Sequence, residues 1–208
     1  MEPRLHTPHT STLATAGPPA VQGWRPIHRL AAGVLLAGLL TTLAARAEPR
    51  DPREHIFTRT FGDLPEELAT VREEGKAGIL LFYEQPGCPY CARMLEGALA
   101  DPALQDWFTK RFLVIAVNIR SDVELTDLDG ITLPSHAFAE HRRVFATPVL
   151  SFIGPDGAEV YRRNGEVRTP EELLLIGEYV AAQAYVDTTF ETFAARRRGG
   201  DDPEGTRP

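Results

Sequence analysis

The chain has 208 residues, 43% of them hydrophobic, which is enough for one globular domain with additional segments. Its formal net charge is −7, and the acidic residues lie almost entirely after residue 47. This acidic body argues against nucleic acid and anionic membrane surfaces as partners. Only two cysteines are present, so a framework of structural disulfides and a four-cysteine zinc site within one chain are both excluded.

Residues 1–47 have the three parts of a secretory signal peptide. A basic stretch is followed by an uncharged apolar run over residues 30–45 and then by the sequence Ala-Arg-Ala. The run is shorter than the roughly 20 residues of a membrane-spanning helix, so we expect cleavage after Ala47 rather than a retained anchor. The basic stretch is long, which leaves open a translation start further in, for example at Val21. Export would bring the chain to the periplasm, an oxidising compartment.

The first elements after the signal peptide are a linker, a helix and a strand. Residues 48–60 are charged and contain proline, and we predict that they form the linker. Asp63, with Glu66 three positions on, predicts a helix start, and apolar residues at helical spacing continue that helix to Gly75. A continuous apolar run over residues 79–83 then predicts a strand buried on both faces.

A Cys-Pro-Tyr-Cys motif follows this strand, with Pro89 and Tyr90 between Cys88 and Cys91. From Cys88 onward the apolar residues recur at helical spacing, so a helix begins at or beside this cysteine. The unpaired N–H groups and partial positive charge of a helix start stabilise a thiolate, which lowers the cysteine pKa below its free value of about 8.5. We therefore expect Cys88 to be the nucleophile. Cys91, one turn later and more buried, would be the resolving cysteine.

The alternative for the two cysteines is a purely structural bridge. The loop-entropy expression gives so small a ring only about 2 kcal/mol of stabilisation, against about 4.7 kcal/mol for a 100-residue loop. A chain that gained stability from its single disulfide would place it elsewhere. The spacing and the helix start therefore favour thiol–disulfide exchange.

The middle of the chain predicts a second strand, a hairpin and a helix. Residues 112–119 form an apolar run reached through a short helical crossover, so this strand should be parallel to the first. Alternating residues around an Asp-Gly turn predict a small hairpin at 123–133, whose turn lacks the ligand set of a calcium loop. Ser135 is predicted to cap a helix that continues to Phe145.

The last part of the chain predicts a second hairpin, a helix and a tail. Residues 149–153 and 158–163 should pair as antiparallel strands. Thr169 and Pro170 combine a capping box with proline at the first helical position, which indicates a helix start. Residues 196–208 lack apolar content, so we predict a disordered tail.

The order β-α-β-α-β-β-α, with the cysteine motif after the first central strand and Thr147-Pro148 before the last hairpin, resembles the thioredoxin fold. The resemblance implies an α/β, three-layer domain over residues 61–195, with a central mixed sheet flanked by helices. It also implies that Pro148 is a cis-proline that faces the cysteines and shapes a substrate groove, in which the Thr147 backbone pairs with an extended substrate segment. An ordinary edge-strand proline is the alternative.

Several segments between residues 122 and 185, such as Thr147–Phe152, resemble SoxW-type periplasmic thioredoxins. This resemblance implies a reductase of periplasmic disulfides that is associated with sulfur oxidation. Its substrate would be a disulfide-containing protein or a small thiol, and a membrane electron donor would supply the electrons. We expect a monomer without a cofactor. Pro-Tyr is the dipeptide of glutaredoxins, which suggests a reduction potential of about −200 to −230 mV.

The sequence departs from ordinary thioredoxins at the residues that handle the proton of the second cysteine. That family has a buried Asp six positions before the first cysteine and a Lys on the next strand, where this chain has Phe82 and Ala116. Glu84, at the exposed end of the strand, is the nearest alternative proton acceptor, although a solvated strand-end charge explains it equally well. Deprotonation of Cys91 could instead rely on solvent or on the substrate.

Two other functions stay open at this point. A Dsb-like enzyme would use the same cysteines differently. A disulfide-forming enzyme takes electrons from its substrate, and an isomerase rearranges disulfides without net electron transfer. A copper-binding thioredoxin-like chaperone would use Cys88, Cys91 and either His136 or His141. Such carriers usually separate their cysteines by three residues, so we expect no metal here.

Overall fold

The computed structural model describes residues 48–199. The predicted signal peptide, residues 1–47, lies outside the described residues, as does the end of the predicted tail, residues 200–208. Within residues 48–199, no helix combines the length and the apolar character that crossing a membrane requires.

Six strands are present in the described part of the chain. They are β1 (Gly78–Glu84), β2 (Phe112–Asn118), β3 (Glu124–Thr126), β4 (Thr132–Pro134), β5 (Val149–Ile153) and β6 (Glu159–Asn164). Four of them form a mixed sheet in the order β2-β1-β5-β6, in which β1 is parallel to β2 and β5 is antiparallel to both neighbours. β3 and β4 form a separate antiparallel hairpin. The predicted mixed sheet and the hairpin at 123–133 are confirmed.

The α-helices of residues 48–199 lie before, between and after the strands. They are α1 (Pro52–His55), α2 (Leu64–Glu73), α3 (Pro89–Glu96), α4 (Pro102–Thr109), α5 (Ser135–His141), α6 (Pro170–Ala181) and α7 (Phe190–Gly199). The side chains of Asp63, Asp101 and Thr169 accept backbone N–H groups at the first turns of α2, α4 and α6, and the caps at Asp63 and Thr169 are those predicted from the sequence.

The central strand β1 places alternate side chains in two hydrophobic clusters, one on each face of the sheet. Leu80 and Phe82 pack with buried residues of α3, α4 and α6. Ile79, Leu81 and Tyr83 pack with buried residues of α2 and α5 on the opposite face. Because both faces are covered, the strand is apolar along its length, and the predicted three-layer architecture is confirmed.

Residues 48–60, predicted to be a linker, contain a helix and pack on the domain. The Asp51 side chain accepts the Arg53 N–H at 2.8 Å and so caps α1, which begins with proline. Ile56 is fully buried in the cluster that contains the cysteines. The Thr58 N–H donates to the Val114 carbonyl at 2.7 Å, which ties the segment to β2. The composition of the segment gives no sign of these contacts, because its buried residues, Pro52 and Ile56, lie among charged neighbours.

Ile56→Val is expected to lower the free energy of unfolding by about 1 kcal/mol, since it removes one buried methylene group. Urea unfolding followed by circular dichroism would measure this loss. The same change at Ile131, an exposed residue of the hairpin turn, is the matched control and should be close to neutral. Equal stability of the Ile56 variant and the parent would mean that this segment is a linker after all.

The helix α5 differs from its prediction at both ends. Ser135 is its first residue rather than its cap, and the Ser135 hydroxyl donates to the Val123 carbonyl at 2.7 Å, which joins the helix to the hairpin. The helix ends at His141, four residues before Phe145, and Arg143 adopts a left-handed conformation with φ of 57°. That conformation turns the chain toward the Thr147-Pro148 loop.

The predicted disordered tail starts too early, because α7 extends to Gly199. Arg197 forms an ion pair with Glu178 of α6 at 3.1 Å, and its guanidinium lies 5.2 Å from the centre of the Phe193 ring. The Phe193 and Tyr179 rings are in turn 5.4 Å apart. The arginine-rich end of α7 is thus attached to the domain by an ion pair and by a cation–π contact.

Candidate active site

The cysteine pair lies where β1 ends and α3 begins. Cys88 is the N-cap residue of α3, with an extended backbone, and Pro89 is the first helical residue, where the missing N–H is not needed. A disulfide joins Cys88 to Cys91, and their Cα atoms are 5.3 Å apart. The Cys91 N–H donates to the Cys88 sulfur at 3.1 Å. In the reduced protein this donor and the helix start would stabilise a thiolate at Cys88.

The two cysteine residues are both buried, Cys88 less completely than Cys91. Cys88 is 8% exposed and Cys91 is 2% exposed, and both border the hydrophobic cluster below α3. Cys88 is thus the cysteine that is nearer to solvent. This difference agrees with the predicted order of the two cysteines, in which the first attacks and the second resolves.

The Thr147-Pro148 loop faces the first cysteine. The peptide bond between these residues is cis, as the resemblance implies, and the Thr147 carbonyl oxygen lies 3.6 Å from the Cys88 sulfur. The antiparallel pairing of β5 with β1 brings this loop to the end of β1 at which α3 starts, because Val149 is the register partner of Tyr83. The structure thus brings together residues that are 59 positions apart.

Tyr90, between the two cysteines in the sequence, stacks against the guanidinium of Arg93. Its ring is half exposed and lies 4.6 Å from the Arg93 guanidinium. Arg93 binds both carboxylate oxygens of Glu166, at 2.7 and 3.1 Å, which fixes the guanidinium against the ring. The Val167 N–H donates to the Met94 sulfur at 3.4 Å, so the loop that carries Glu166 is itself docked on α3. The hydrogen bond from Arg93 lowers the pKa of Glu166.

Glu166→Gln is expected to lower the melting temperature at pH 7 but not in acid. The Glu166 pKa is lower in the folded chain than in the unfolded chain, so its contribution is complete above about pH 4.3 and is lost as the pH falls through the folded value. Melting curves of parent and variant should therefore converge below pH 4. Glu140→Gln, which changes an exposed carboxylate on α5, is the control. A difference that persists in acid would show that the ion pair is not its cause.

Glu84 is not the solvated strand-end charge that the sequence allowed. Its side chain is 12% exposed, and both of its oxygens accept from the Arg53 guanidinium, at 2.5 and 2.6 Å. The hydrogen bond to Glu84 raises the pKa of Arg53. Arg53, Glu84 and both cysteines line one cavity of about 510 Å³. Arg53 is not among the site residues predicted from the sequence, and the Asp51-Pro52 pair that starts α1 is the local signal for its helix.

The positions that hold ionisable groups in ordinary thioredoxins are apolar here. Phe82 is fully buried, and Ala116 is its register partner on β2. Neither side chain can accept a proton. Any side chain that takes the Cys91 proton must therefore lie elsewhere around the cavity, which leaves Glu84 as the carboxylate among its lining residues.

The two histidines considered for copper lie on α5, where each contacts oxygen atoms. His136 Nδ1 is 3.3 Å from the Ser121 carbonyl, and His141 Nε2 is 3.2 Å from an Asp129 oxygen. Among residues 48–199, the one group of three close potential ligands is Asp127, Asp129 and His141, with neither cysteine in it. Arg142 binds both oxygens of Asp127, which leaves that carboxylate neutralised by a guanidinium.

The chain belongs to the thioredoxin-like domain family, whose model matches residues 64–181, more than half of the chain. With its helix-start cysteine pair, it is a thiol–disulfide oxidoreductase. No curated protein matches the sequence.

Solved structures share the fold at low sequence identity. A thioredoxin-fold protein from Helicobacter pylori is 19% identical, with a TM-score of 0.55, over 71% of this chain and 95% of that chain. A putative disulphide-isomerase from Bacteroides thetaiotaomicron is 21% identical, with a TM-score of 0.47, over 70% of this chain and 99% of that chain. A thioredoxin from Thermus thermophilus is 29% identical, with a TM-score of 0.40, over 53% of this chain and 77% of that chain. The first of these shows the common fold.

Proposed function

We propose that this oxidoreductase is exported and reduces disulfides in the periplasm through a cycle of Cys88 and Cys91. The observation that carries the proposal is the placement of Cys88. It is the more exposed of the two cysteine residues, it caps α3, and its sulfur lies 3.6 Å from the Thr147 carbonyl oxygen. A nucleophile that must meet a substrate disulfide needs this combination of access and thiolate stabilisation.

The reaction consists of two exchanges. The Cys88 thiolate attacks one sulfur of the substrate disulfide, which forms a mixed disulfide and releases the other substrate sulfur as a thiolate. Cys91 then loses its proton and attacks the Cys88 sulfur. The Cys88–Cys91 disulfide forms, and the substrate leaves with its second thiol. Two electrons have passed to the substrate, and a dithiol donor at the membrane restores Cys88 and Cys91 by the same exchange in reverse.

The proton of Cys91 can reach Glu84 through the shared cavity. A volume of about 510 Å³ holds several water molecules, each of which occupies about 30 Å³ in the liquid. Water between the cysteine and the carboxylate would therefore complete a route that avoids the apolar Phe82 and Ala116 positions. Solvent that enters the same cavity is the alternative acceptor.

The surroundings of Cys88 favour a polypeptide substrate over a small thiol. Pro148 and the Thr147 backbone would border the groove and pair with an extended segment, as the resemblance to thioredoxins implies. Two aromatic side chains, Tyr90 and Phe145, are exposed close in sequence to Cys88 and Thr147. Exposed aromatic rings suit a partner that buries them. A small thiol would leave both rings in water.

The periplasmic location and the link to sulfur oxidation rest on the N-terminal sequence and on the SoxW-type resemblance. The basic stretch, the apolar run and the Ala-Arg-Ala sequence before Glu48 support export and cleavage. The acidic body supports protein or small-molecule partners and no nucleic acid. Mass spectrometry of the mature chain would test cleavage, and a start far from Glu48 would contradict it.

The reduction potential tests the direction of electron flow. Equilibrated with glutathione buffers, the purified protein should show a midpoint of about −200 to −230 mV, the range of proteins with the same dipeptide. Alkylation of free thiols and mass spectrometry would report the reduced fraction, with the variant that has serine at both cysteine positions as the control that shows no transition. A midpoint near −120 mV would overturn the reductase assignment and favour a disulfide-forming enzyme.

A further inference from the structure

The N-terminal helix α1 contributes a charged group to the cavity beside the cysteines. We infer that Arg53 is a positioning residue for the exchange reaction: it holds Glu84 in place and cancels its charge in the cavity that Glu84 shares with Cys88. This inference rests on the proposed function, because it matters only if Cys88 reacts as a thiolate. It assigns a role to a segment whose sequence indicated a linker.

The guanidinium of Arg53 is the hydrogen-bond partner of the Glu84 side chain. The planar guanidinium binds both carboxylate oxygens, at 2.5 and 2.6 Å, in the paired arrangement that gives the strongest contacts between these groups. The capped helix α1 and the buried Ile56 fix the position from which Arg53 reaches β1. With the Glu84 side chain only 12% exposed, few water molecules can replace the arginine.

An unpaired carboxylate in this cavity would oppose the chemistry. A negative charge close to a thiol raises its pKa, because it disfavours the thiolate. Glu84 and Cys88 line the same cavity, so Glu84 without Arg53 would counteract the helix start that stabilises the thiolate. Arg53 thus keeps the Glu84 carboxylate from opposing the formation of the Cys88 thiolate.

Other charged groups near the pocket do not replace this pair. The surrounding segments carry Asp51, Glu54, His55, Arg93, Glu96, Arg120 and Glu166. Arg93 and Glu166 neutralise each other on the Tyr90 side. The Arg120 guanidinium donates to the Gln85 side chain at 3.1 Å, and Asp51 caps α1 before Arg53.

Arg53 could also act only as an anchor for α1, since its guanidinium lies 5.4 Å from the centre of the Phe57 ring as well. The two roles differ in what happens when Glu84 is changed too. If Arg53 cancels a charge, removal of both charges restores the parent environment at Cys88. If Arg53 is an anchor, removal of both leaves the same defect as removal of Arg53 alone.

The test is the pH dependence of iodoacetamide alkylation of Cys88 in the reduced full chain, with the modified cysteine identified by mass spectrometry. Arg53→Gln should raise the Cys88 pKa by about 0.5 to 1 unit, and Glu84→Gln should lower it by a similar amount. The double variant should return to the parent value. Arg50→Gln is the matched control, because Arg50 lies in the same segment and pairs with Asp106 away from the cavity lining.

Equal shifts in Arg53→Gln and in the double variant would overturn the inference, as would the absence of a shift in either single variant. Reduction of insulin disulfides by the unchanged protein is measured alongside. If the parent protein reduces insulin but the shifts are missing, only the role of Arg53 fails. If the parent protein does not reduce insulin, the proposed function fails, whatever the alkylation profiles show.

Discussion

Cys91→Ser is expected to hold a substrate on Cys88 as a stable mixed disulfide, whereas Cys88→Ser holds none. Serine at position 91 cannot attack the Cys88 sulfur, so the first exchange proceeds and the second does not. Serine at position 88 removes the sulfur of the more exposed cysteine residue, which caps α3. Turnover of a protein disulfide should therefore be abolished in both variants. Non-reducing gel electrophoresis after incubation with oxidised insulin would show the covalent complex in one variant alone.

The double variant with serine at both positions controls for non-specific attachment, and circular dichroism controls for folding. A complex formed by Cys88→Ser but not by Cys91→Ser would reverse the two roles. Addition of dithiothreitol should release the trapped chain, since the link is a disulfide. The same variant, used in a periplasmic extract, would identify the natural partner by mass spectrometry of the released protein.

The cysteine pair and its helix could be predicted because the signals are local. A change from a continuous apolar run to helical spacing occurs within a few residues of Cys88, and the caps Asp63 and Thr169 precede their helices directly. The parallel pairing of β1 with β2 followed from the helical crossover between them. Each of these inferences needs only neighbouring residues or a general rule of chain connection.

The Arg53–Glu84 pair could not be predicted, because its partners are 31 positions apart and no pattern joins them. The segment that carries Arg53 is rich in charge, so its composition indicated a linker although it contains a capped helix. The same limit applies to Glu84, whose burial depends on that helix. Interactions between side chains that are far apart in sequence depend on how the elements pack, and the local pattern of each element does not predict them.

Arg142→Met is expected to lower the free energy of unfolding by about 3 to 5 kcal/mol. Arg142 Nε donates to both oxygens of Asp127, at 3.0 and 2.8 Å, and joins α5 to the turn between β3 and β4. The Asp127 side chain is only 4% exposed. Without the arginine, this carboxylate still accepts the Leu128 N–H at 2.6 Å but has no permanently charged cation as its partner. Chemical denaturation at neutral pH would measure the loss.

Two further variants separate the buried charge from the loss of side-chain packing. Asp127→Asn combined with Arg142→Met removes both charges, so it should recover part of the stability lost in the single variant. Arg50→Met breaks the Arg50–Asp106 pair, whose side chains are 35% and 56% exposed, and should change the stability little because water screens this pair. A loss in Arg142→Met as small as that of Arg50→Met would show that water reaches Asp127. A double variant no more stable than Arg142→Met would attribute the whole effect to packing. The expected order, from most to least stable, is therefore Arg50→Met, the double variant and Arg142→Met, since a buried carboxylate without its guanidinium partner is less favourable than an exposed pair or a neutral replacement.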